Sequence, residues 1–387
     1  MLHNGRQKRI LEGHPWVYRT EIASIEGVFE NGDIVEVVDF RNRYLGNGFI
    51  NVNSMITVRL LTHSHEEISA ELITKRVSSA VAYRKYFSRC NTDSYRMIFG
   101  EADLLPGVIA DKFGDTIVLQ ILALGMEKWQ SLIADTLISL LNPEALILRN
   151  DEPIRLKEGM ELFSKFYSGD QKDNVIITEN SIKLSVNILT GQKTGYFLDQ
   201  KDNHAALQPF VSGKKVLDCF TYIGAFALHA AKYGAKEVIA VDISSEAIKQ
   251  AKANANLGGF ENISFVTANA FDYLREQINT SSSFDVIILD PPAFTKSKSA
   301  LSGAVRGYKE INLSAMRLLP PGGILATHSC SYHMPEELFI STVLSAAQDL
   351  KRKVRIIEIR TQSQDHPILG GYPESHYLKS LWLQMLN

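Results

Sequence analysis

The side chains best suited to chemistry sit in a pair of short stretches. The first is I-L-D-P-P-A-F, residues 288–294, an apolar run that ends in Asp290 and then Pro291 and Pro292. Proline fixes φ and cannot continue a sheet ladder, so the carboxylate is held at a strand tip. An acid followed by Pro-Pro, with Phe294 nearby, suits gripping the polar edge of a planar base. The second is A-T-H-S-C-S-Y-H-M, residues 326–334, which also closes an apolar run. It carries Cys330, a nucleophile once ionised. A free thiol titrates near about 8.5, so it needs a nearby cation or helix terminus to be a thiolate at neutral pH. In an extended strand His328 shares a face with Cys330, and His333 follows in the turn. A lone cysteine out of context is more often a small buried hydrophobe; its place after the D-P-P strand favours the nucleophile.

The elements that must position these groups begin at residues 216–242, V-L-D-C-F-T-Y-I-G-A-F-A-L-H-A-A-K-Y-G-A-K-E-V-I-A-V-D. A short apolar run ends at Asp218, a turn passes through Gly224, an alanine-rich helical pattern follows, and a second buried strand stops at Asp242. That is the length of one parallel crossover. The turn lets N–H groups at the helix start approach a ligand, and the acid at the next strand's end can accept hydrogen bonds from ribose hydroxyls. An adenosine-containing cofactor is the natural reading. A dinucleotide site wants three spaced glycines around a pyrophosphate, whereas Gly224 stands alone. S-adenosyl-L-methionine carries no phosphate and fits these residues better. The plain alternative is a buried parallel unit with no ligand.

After Asp242 the pattern predicts a helix over 244–256, a strand I-S-F-V-T-A, a helix from Ala270, a strand F-D-V-I-I-L-D, a helix over 305–319 and a strand G-I-L-A-T-H-S. A last helix from Pro335 and strands near 353–360 and 377–386 complete it. This is an α/β fold with a mostly parallel sheet and ligands at the strand C-terminal ends. In the strand order usual for methyltransferases, the strands bearing Asp290 and Cys330 are neighbours about 4.8 Å apart. Upstream, residues 1–72 hold short alternating segments at 34–40, 44–50 and 56–62, separated by turn residues, as in a small β-barrel domain. Residues 73–185 read as a mixed α/β middle domain and 186–387 as the cofactor-binding domain.

A chain of 387 residues, 45% hydrophobic, predicts two or three domains with real cores. The formal charge of −2 leaves no global nucleic-acid footprint, so RNA must be met by a local patch. One candidate is Trp16 in G-H-P-W-V-Y, beside Arg9 and Arg19, an aromatic for stacking among cations for phosphates. Another is the helix from residue 73, with Lys75, Arg76, Arg84, Lys85, Arg89 and Arg96 against the single acid Asp93, and Tyr83, Tyr86, Phe87 and Tyr95 between them. A core plug and an ordinary charged face are the respective alternatives. A loop over 294–309, with Phe294, Lys296, Lys298, Arg306 and Lys309, is placed to close over a target strand. The three cysteines, Cys90, Cys219 and Cys330, lack C-x-x-C pairing, which argues against a disulfide framework and a zinc site and for a reducing cytoplasm. No apolar run reaches the roughly 18 residues a membrane span requires.

With these motifs the chain resembles the bacterial and archaeal RNA methyltransferases that join an N-terminal PUA domain, a mixed α/β domain and a class I methyltransferase domain, including the large-subunit ribosomal RNA 5-methylcytosine enzymes. The resemblance runs through G-H-P-W-V-Y, G-E-A-D-L-L-P-G-V-I-A-D-K-F-G-D (100–115), L-T-G-Q-K-T-G-Y-F-L-D-Q-K-D-N (189–203), D-P-P-A-F, S-C-S and D-H-P-I-L-G-G-Y-P-E (365–374). It implies a class I Rossmann-like sheet and S-adenosyl-L-methionine held by Gln192, Tyr196, Phe197 and Gln200, with Asp218, Phe220 and the Gly224 turn at the methionine end. Asp242 and Ile243 are implied at the ribose, Asn269 and Ala270 at the adenine edge, and Asp290 beside both cofactor and base. The chain has Tyr222, Ile223, Gly224 and Ala225 where the family often has two glycines and a threonine, and Asn269 where it often has an acid. The implied partner is RNA, 23S ribosomal RNA foremost, with a homodimer allowed. Cytosine carbon 5 is a weak nucleophile, so the implied mechanism adds the Cys330 thiolate at carbon 6 and lets Asp290 hold the ring nitrogen and amino edge. The competing readings are a guanine N-methyltransferase in which Cys330 only lines the pocket, a non-catalytic RNA-binding assembly factor, and a nicotinamide dehydrogenase that the missing glycines disfavour.

Overall fold

The structure is a computed structural model that describes the chain from Met1 to Asn387 apart from residues 88–90 and 296. It divides into two compact units. The first holds Met1–Ile177, Val186–Leu198 and Gln364–Ser375; the second holds Thr178–Ser185, Asp199–Ser363 and His376–Asn387.

The first unit opens with an antiparallel sheet of β1 (Trp16–Tyr18), β2 (Ile34–Val38), β3 (Tyr44–Ile50) and β4 (Ile56–Thr62), in the order β1-β4-β3-β2. Its apolar side gathers Val37, Leu45, Ile50, Val58 and Leu60. β4 runs so close to β3 that a Cβ at Gly48 would lie 2.2 Å from the Arg59 carbonyl oxygen, which is why that strand needs glycine there. A second sheet follows, made of β5 (Tyr95–Phe99), β6 (Val108–Phe113), β7 (Thr116–Ile121), β8 (Ala145–Asn150) and β9 (Phe163–Gly169) in chain order. Only β7 and β8 are parallel, joined through the helix Gln130–Leu141.

Two RNA-facing candidates in this unit are corrected by their surroundings. The helix Ala70–Lys85, capped by the Ser69 hydroxyl, buries Ile73, Val77, Ala80 and Val81, the i, i+4, i+7, i+8 stripe of an amphipathic helix. Arg76 and Arg84 fall on that buried side. Arg84 is 2% exposed and donates from both terminal nitrogens to Asp103, at 2.5 and 2.7 Å, and also to the Arg96 and Asp365 carbonyls. Only Lys85 of the pair singled out from sequence faces solvent. Trp16 is likewise committed: its indole N–H donates to Glu101 at 2.7 Å, Arg59 lies over the ring, and Tyr372 packs against it with ring centroids 4.9 Å apart. It is half-buried, with its N–H and both neighbours of its ring taken up within the unit.

Between residues 174 and 187 lies a hairpin of β10 (Asn174–Glu179) and β11 (Ile182–Asn187), turned by Asn180 and Ser181 with φ of 48° and 63°. Both central residues are left-handed, as a tight two-residue hairpin turn requires.

The second unit is built on a seven-stranded sheet: β12 (Lys215–Cys219), β13 (Glu237–Asp242), β14 (Ile263–Thr267), β15 (Val286–Leu289), β16 (Ile324–Ser329), β17 (Val354–Arg360) and β18 (Lys379–Met385), in the order β14-β13-β12-β15-β16-β18-β17. The first five in that order are parallel; β18 runs antiparallel to both its neighbours. A sheet buried on both faces explains the unbroken apolar runs. Leu217, Leu289, Leu325 and Leu383 pack one face against the helices Ala270–Asn279, Leu301–Arg317 and Glu336–Asp349. Val216, Ile288, Ala326 and Trp382 pack the other against Phe226 and Val211. Among the described residues no helix is long and apolar enough to cross a membrane.

Replacing Arg84 by alanine leaves Asp103 without its buried counter-ion. We expect a stability loss of about 3–5 kcal/mol in denaturant unfolding, and no change in the salt slope of RNA binding by the folded fraction, in contrast to Lys85→Ala.

Candidate active site

The strand order turns at β12, where β13 leaves to one side and β15 to the other, and such a switch point opens a crevice at the strand C-terminal ends. Asp218 lies near the end of β12, with no exposed surface. Its Oδ2 accepts from the Thr221 hydroxyl at 2.5 Å and from the Ala227 N–H at 3.1 Å, while Oδ1 is buried with no hydrogen-bond partner among the described residues. Burial raises its pKa to about 6, against the Thr221 hydrogen bond and the His204 ring, which pull it down. The loop that follows is strained: Phe220 and Tyr222 hold φ of 66° and 50°, and Gly224 holds 92°. Gly224 alone is free of that penalty, and a Cβ there would stand 3.2 Å from the Ala251 Cβ.

Asp242 ends β13. Its two oxygens accept from the N–H groups of Tyr222 and Ser244, both at 2.9 Å, which aims the carboxylate and leaves lone pairs for further donors. Ile243 beside it is 70% exposed, an aliphatic surface at the strand tip. Asn269 is exposed and caps the helix Ala270–Asn279 through the Phe271 N–H, with Ala270 buried behind it.

Asp290 follows β15, and its N–H reaches the Cys219 carbonyl at 3.4 Å. The carboxyl is pushed up to about 7, first by desolvation and then by the neighbouring Asp199 carboxylate, opposed by His204 and by the Gln200 side chain. β15 and β16 pair in parallel with Leu289 opposite Thr327, as the expected strand order required. Cys330 leaves the tip of β16, half-buried, with its Sγ 3.9 Å from the Pro291 carbonyl oxygen.

His328 does not share the thiol's surroundings. It is fully buried against Phe226 and Trp382, neither ring nitrogen has a partner among the described residues, and burial drives its pKa to about 3. Two groups that feel Cys330 are Tyr308, which packs on the opposite face of the sheet, and Lys379, which lies two residues before Leu381 of that face along β18. Phe294 packs between Tyr308 and Phe271, at 4.6 and 5.9 Å between ring centroids. Lys296 lies outside the described residues, and Lys298 begins a short 3-10 turn. Gln192, Tyr196 and Phe197 belong to the first unit; Gln192 is exposed and Tyr196 is 1% exposed. Gln200, in the second unit, accepts from Asn203 at 2.7 Å.

Sequence reasoning missed Asp199 and His204, which lie on no strand tip. Asp199 accepts from the Tyr377 hydroxyl at 2.5 Å, and His204 Nδ1 contacts Glu179 at 2.6 Å. Their acid–base character was visible; their convergence on Asp290 was not.

A family model described as an S-adenosylmethionine-dependent methyltransferase matches residues 156–356. The chain belongs to that family. It is an S-adenosylmethionine-dependent methyltransferase with a class I Rossmann-like sheet, and a model described as a PUA-like domain matches residues 1–63. A Cronobacter sakazakii protein named ribosomal RNA large subunit methyltransferase I is 41% identical over 384 residues, covering 98% of this chain and 97% of the relative. A Shewanella denitrificans protein of the same name is 41% identical over 386 residues, with 98% and 97% covered. The crystal structure of SMU.776, described as a methyltransferase complexed with SAH, shares the fold at a TM-score of 0.85 and 20% identity, covering 98% of this chain and 97% of that one.

The residues of the second unit fit the cofactor. The open Oδ1 of Asp218 is what a methionine ammonium needs, and Asp242 retains acceptor capacity for a ribose. A methionine ammonium bound there would hold Asp218, near 6 in the free protein, ionised, and cofactor binding would then release its proton at low pH. Affinity measured by calorimetry is therefore expected to be flat above about pH 6.5 and to fall by up to about tenfold per unit below 6. Asp218→Asn should remove that dependence and weaken binding by about 10- to 100-fold.

Proposed function

We propose that this protein methylates carbon 5 of cytosine in large-subunit ribosomal RNA, with Cys330 as nucleophile and Asp290 on the polar edge of the base. The observation that carries the reading is the pairing of β15 with β16, which brings a thiol and a high-pKa carboxyl to neighbouring strand tips beside the cofactor crevice. The names of the relatives, alike over nearly the whole chain, support ribosomal RNA as the substrate class.

The chemistry follows from cytosine. The Cys330 thiolate adds to carbon 6, the electron pair moves through the ring, and carbon 5 becomes an enamine carbon able to attack. S-adenosylmethionine supplies the electrophilic methyl group. Asp290, near 7, holds a proton in a large share of molecules at neutral pH, so it can share that proton with ring nitrogen 3 as negative charge develops there. Loss of the carbon-5 proton to solvent water, with expulsion of the thiolate from carbon 6, then restores the aromatic ring and returns the shared proton to Asp290. A target within a helix must be flipped out to reach these groups. In this reading residues 1–72 and the exposed Lys85 help hold the RNA, 73–185 form a middle domain and 186–387 carry the chemistry.

Purified protein incubated with ribosomal RNA from a strain lacking the gene is expected to yield 5-methylcytosine by nucleoside mass spectrometry; a methylguanine product refutes the proposal. Cys330→Ala should abolish turnover while preserving cofactor binding. Asp290→Asn should cost at least about a hundredfold in rate, and the wild-type single-turnover rate should be bell-shaped in pH, rising as Cys330 ionises and declining as Asp290 loses its proton.

A further inference from the structure

Lys379 opens β18, directly opposite Ser329 in the antiparallel ladder with β16, and is 4% exposed. An ammonium so deeply buried is costly unless an anion accompanies it. Its hydrogen bonds, both 2.7 Å, go to the neutral carbonyls of Ser331 and Tyr377. No carboxylate forms an ion pair with it among the described residues. One of those carbonyls belongs to the residue that follows Cys330.

The backbone around the thiol is also fixed. The Tyr308 hydroxyl meets Ser329 Oγ at 2.8 Å and Ser331 Oγ at 2.9 Å, so one phenol ties the serines on both sides of Cys330. Ser331 Oγ further accepts from the Phe294 N–H at 3.1 Å. Burial lowers the Lys379 pKa to about 8, so the ammonium persists at neutral pH. Of the groups that favour its charge, Cys330 acts more strongly than Glu336. Titratable groups nearby among the described residues include Tyr308, raised to about 12 and therefore neutral, His376 paired with Glu336 at 3.6 Å, Asp290 just before Pro291, and His333 in the following turn.

We propose that Lys379 is the counter-ion of the Cys330 thiolate, a positioning residue that keeps the nucleophile ionised before substrate arrives. The thiol proton leaves to solvent and the ammonium keeps its own. The inference rests on the reading of Cys330 as nucleophile, but its test does not use methyl transfer.

The rate of Cys330 alkylation by iodoacetamide, followed by peptide mass spectrometry to separate it from Cys90 and Cys219, is measured against pH without RNA. In wild type the midpoint is expected at least about one unit below the ordinary 8.5 of a free thiol. Lys379→Met should raise it by about a unit, slowing alkylation at pH 7 about tenfold, and Lys379→Arg should restore most of the rate. Thiolate absorbance at 240 nm, taken as the difference between wild type and Cys330→Ser, reads the same midpoint in protein unaltered at Lys379, so the proposal is still exposed if Lys379→Met fails to fold. A wild-type midpoint at or above about 8.5, or an unchanged midpoint in folded Lys379→Met, overturns it. A 5-methylcytosine product with an ordinary thiol sinks this inference alone. An acidic, Lys379-dependent thiol with no such product sinks the cytosine reading alone.

Discussion

The second unit is governed by one electrostatic constraint: acids at the tips of adjacent parallel strands sit where burial disfavours their charge, and one of them, Asp218, keeps an oxygen with no hydrogen-bond partner among the described residues. Asp218 and Asp290 emerge from adjacent strands β12 and β15, and burial is the first cause of the raised pKa of each. A purely structural buried carboxylate is normally satisfied by donors, which lowers its pKa. Here an oxygen of Asp218 is left open, and Asp290 faces another acid.

One buried histidine acts on both acids. His204 is buried in contact with Glu179, and it acts to lower the pKa of both Asp218 and Asp290. His229 completes the group but stays neutral, its pKa pulled to about 4, with Nδ1 at the Ala225 carbonyl and Nε2 at the Asn180 amide. The tight hairpin turn at Asn180 thus contributes a side chain to the support of the site. Backbone strain is stored close by, at Phe220 and Tyr222.

Much of the fold was legible because its signals are local. The strands at 44–50 and 56–62 match their apolar patterns to the residue, and the D-P-P step marked a true strand end because proline cannot extend a ladder. The failures share one cause. Counting the cations on 75–96 could not tell which face of the helix turns inward, and Arg84 is on the inner face because Asp103 is there to receive it. Trp16 looked like a stacking ring until Glu101, far along the chain, took its N–H. His328 was expected near the thiol from strand alternation alone, but the strand ends before Cys330 and the ring is held by Phe226 and Trp382.

The amino-acid sequence by itself determined which residues can do chemistry, which lie at strand ends, and that the cofactor turn suits S-adenosylmethionine better than a dinucleotide. These follow from residue type, hydrophobic period and the stereochemistry of glycine and proline, all of which act over a few residues. Tertiary structure alone decided which charges are exposed and which are neutralised. It set Asp199 and His204 against Asp290, left Asp218 an open oxygen, and placed Lys379 beside the segment that carries Cys330. Those outcomes depend on desolvation and on partners from distant segments, and neither quantity is written in any local stretch of chain.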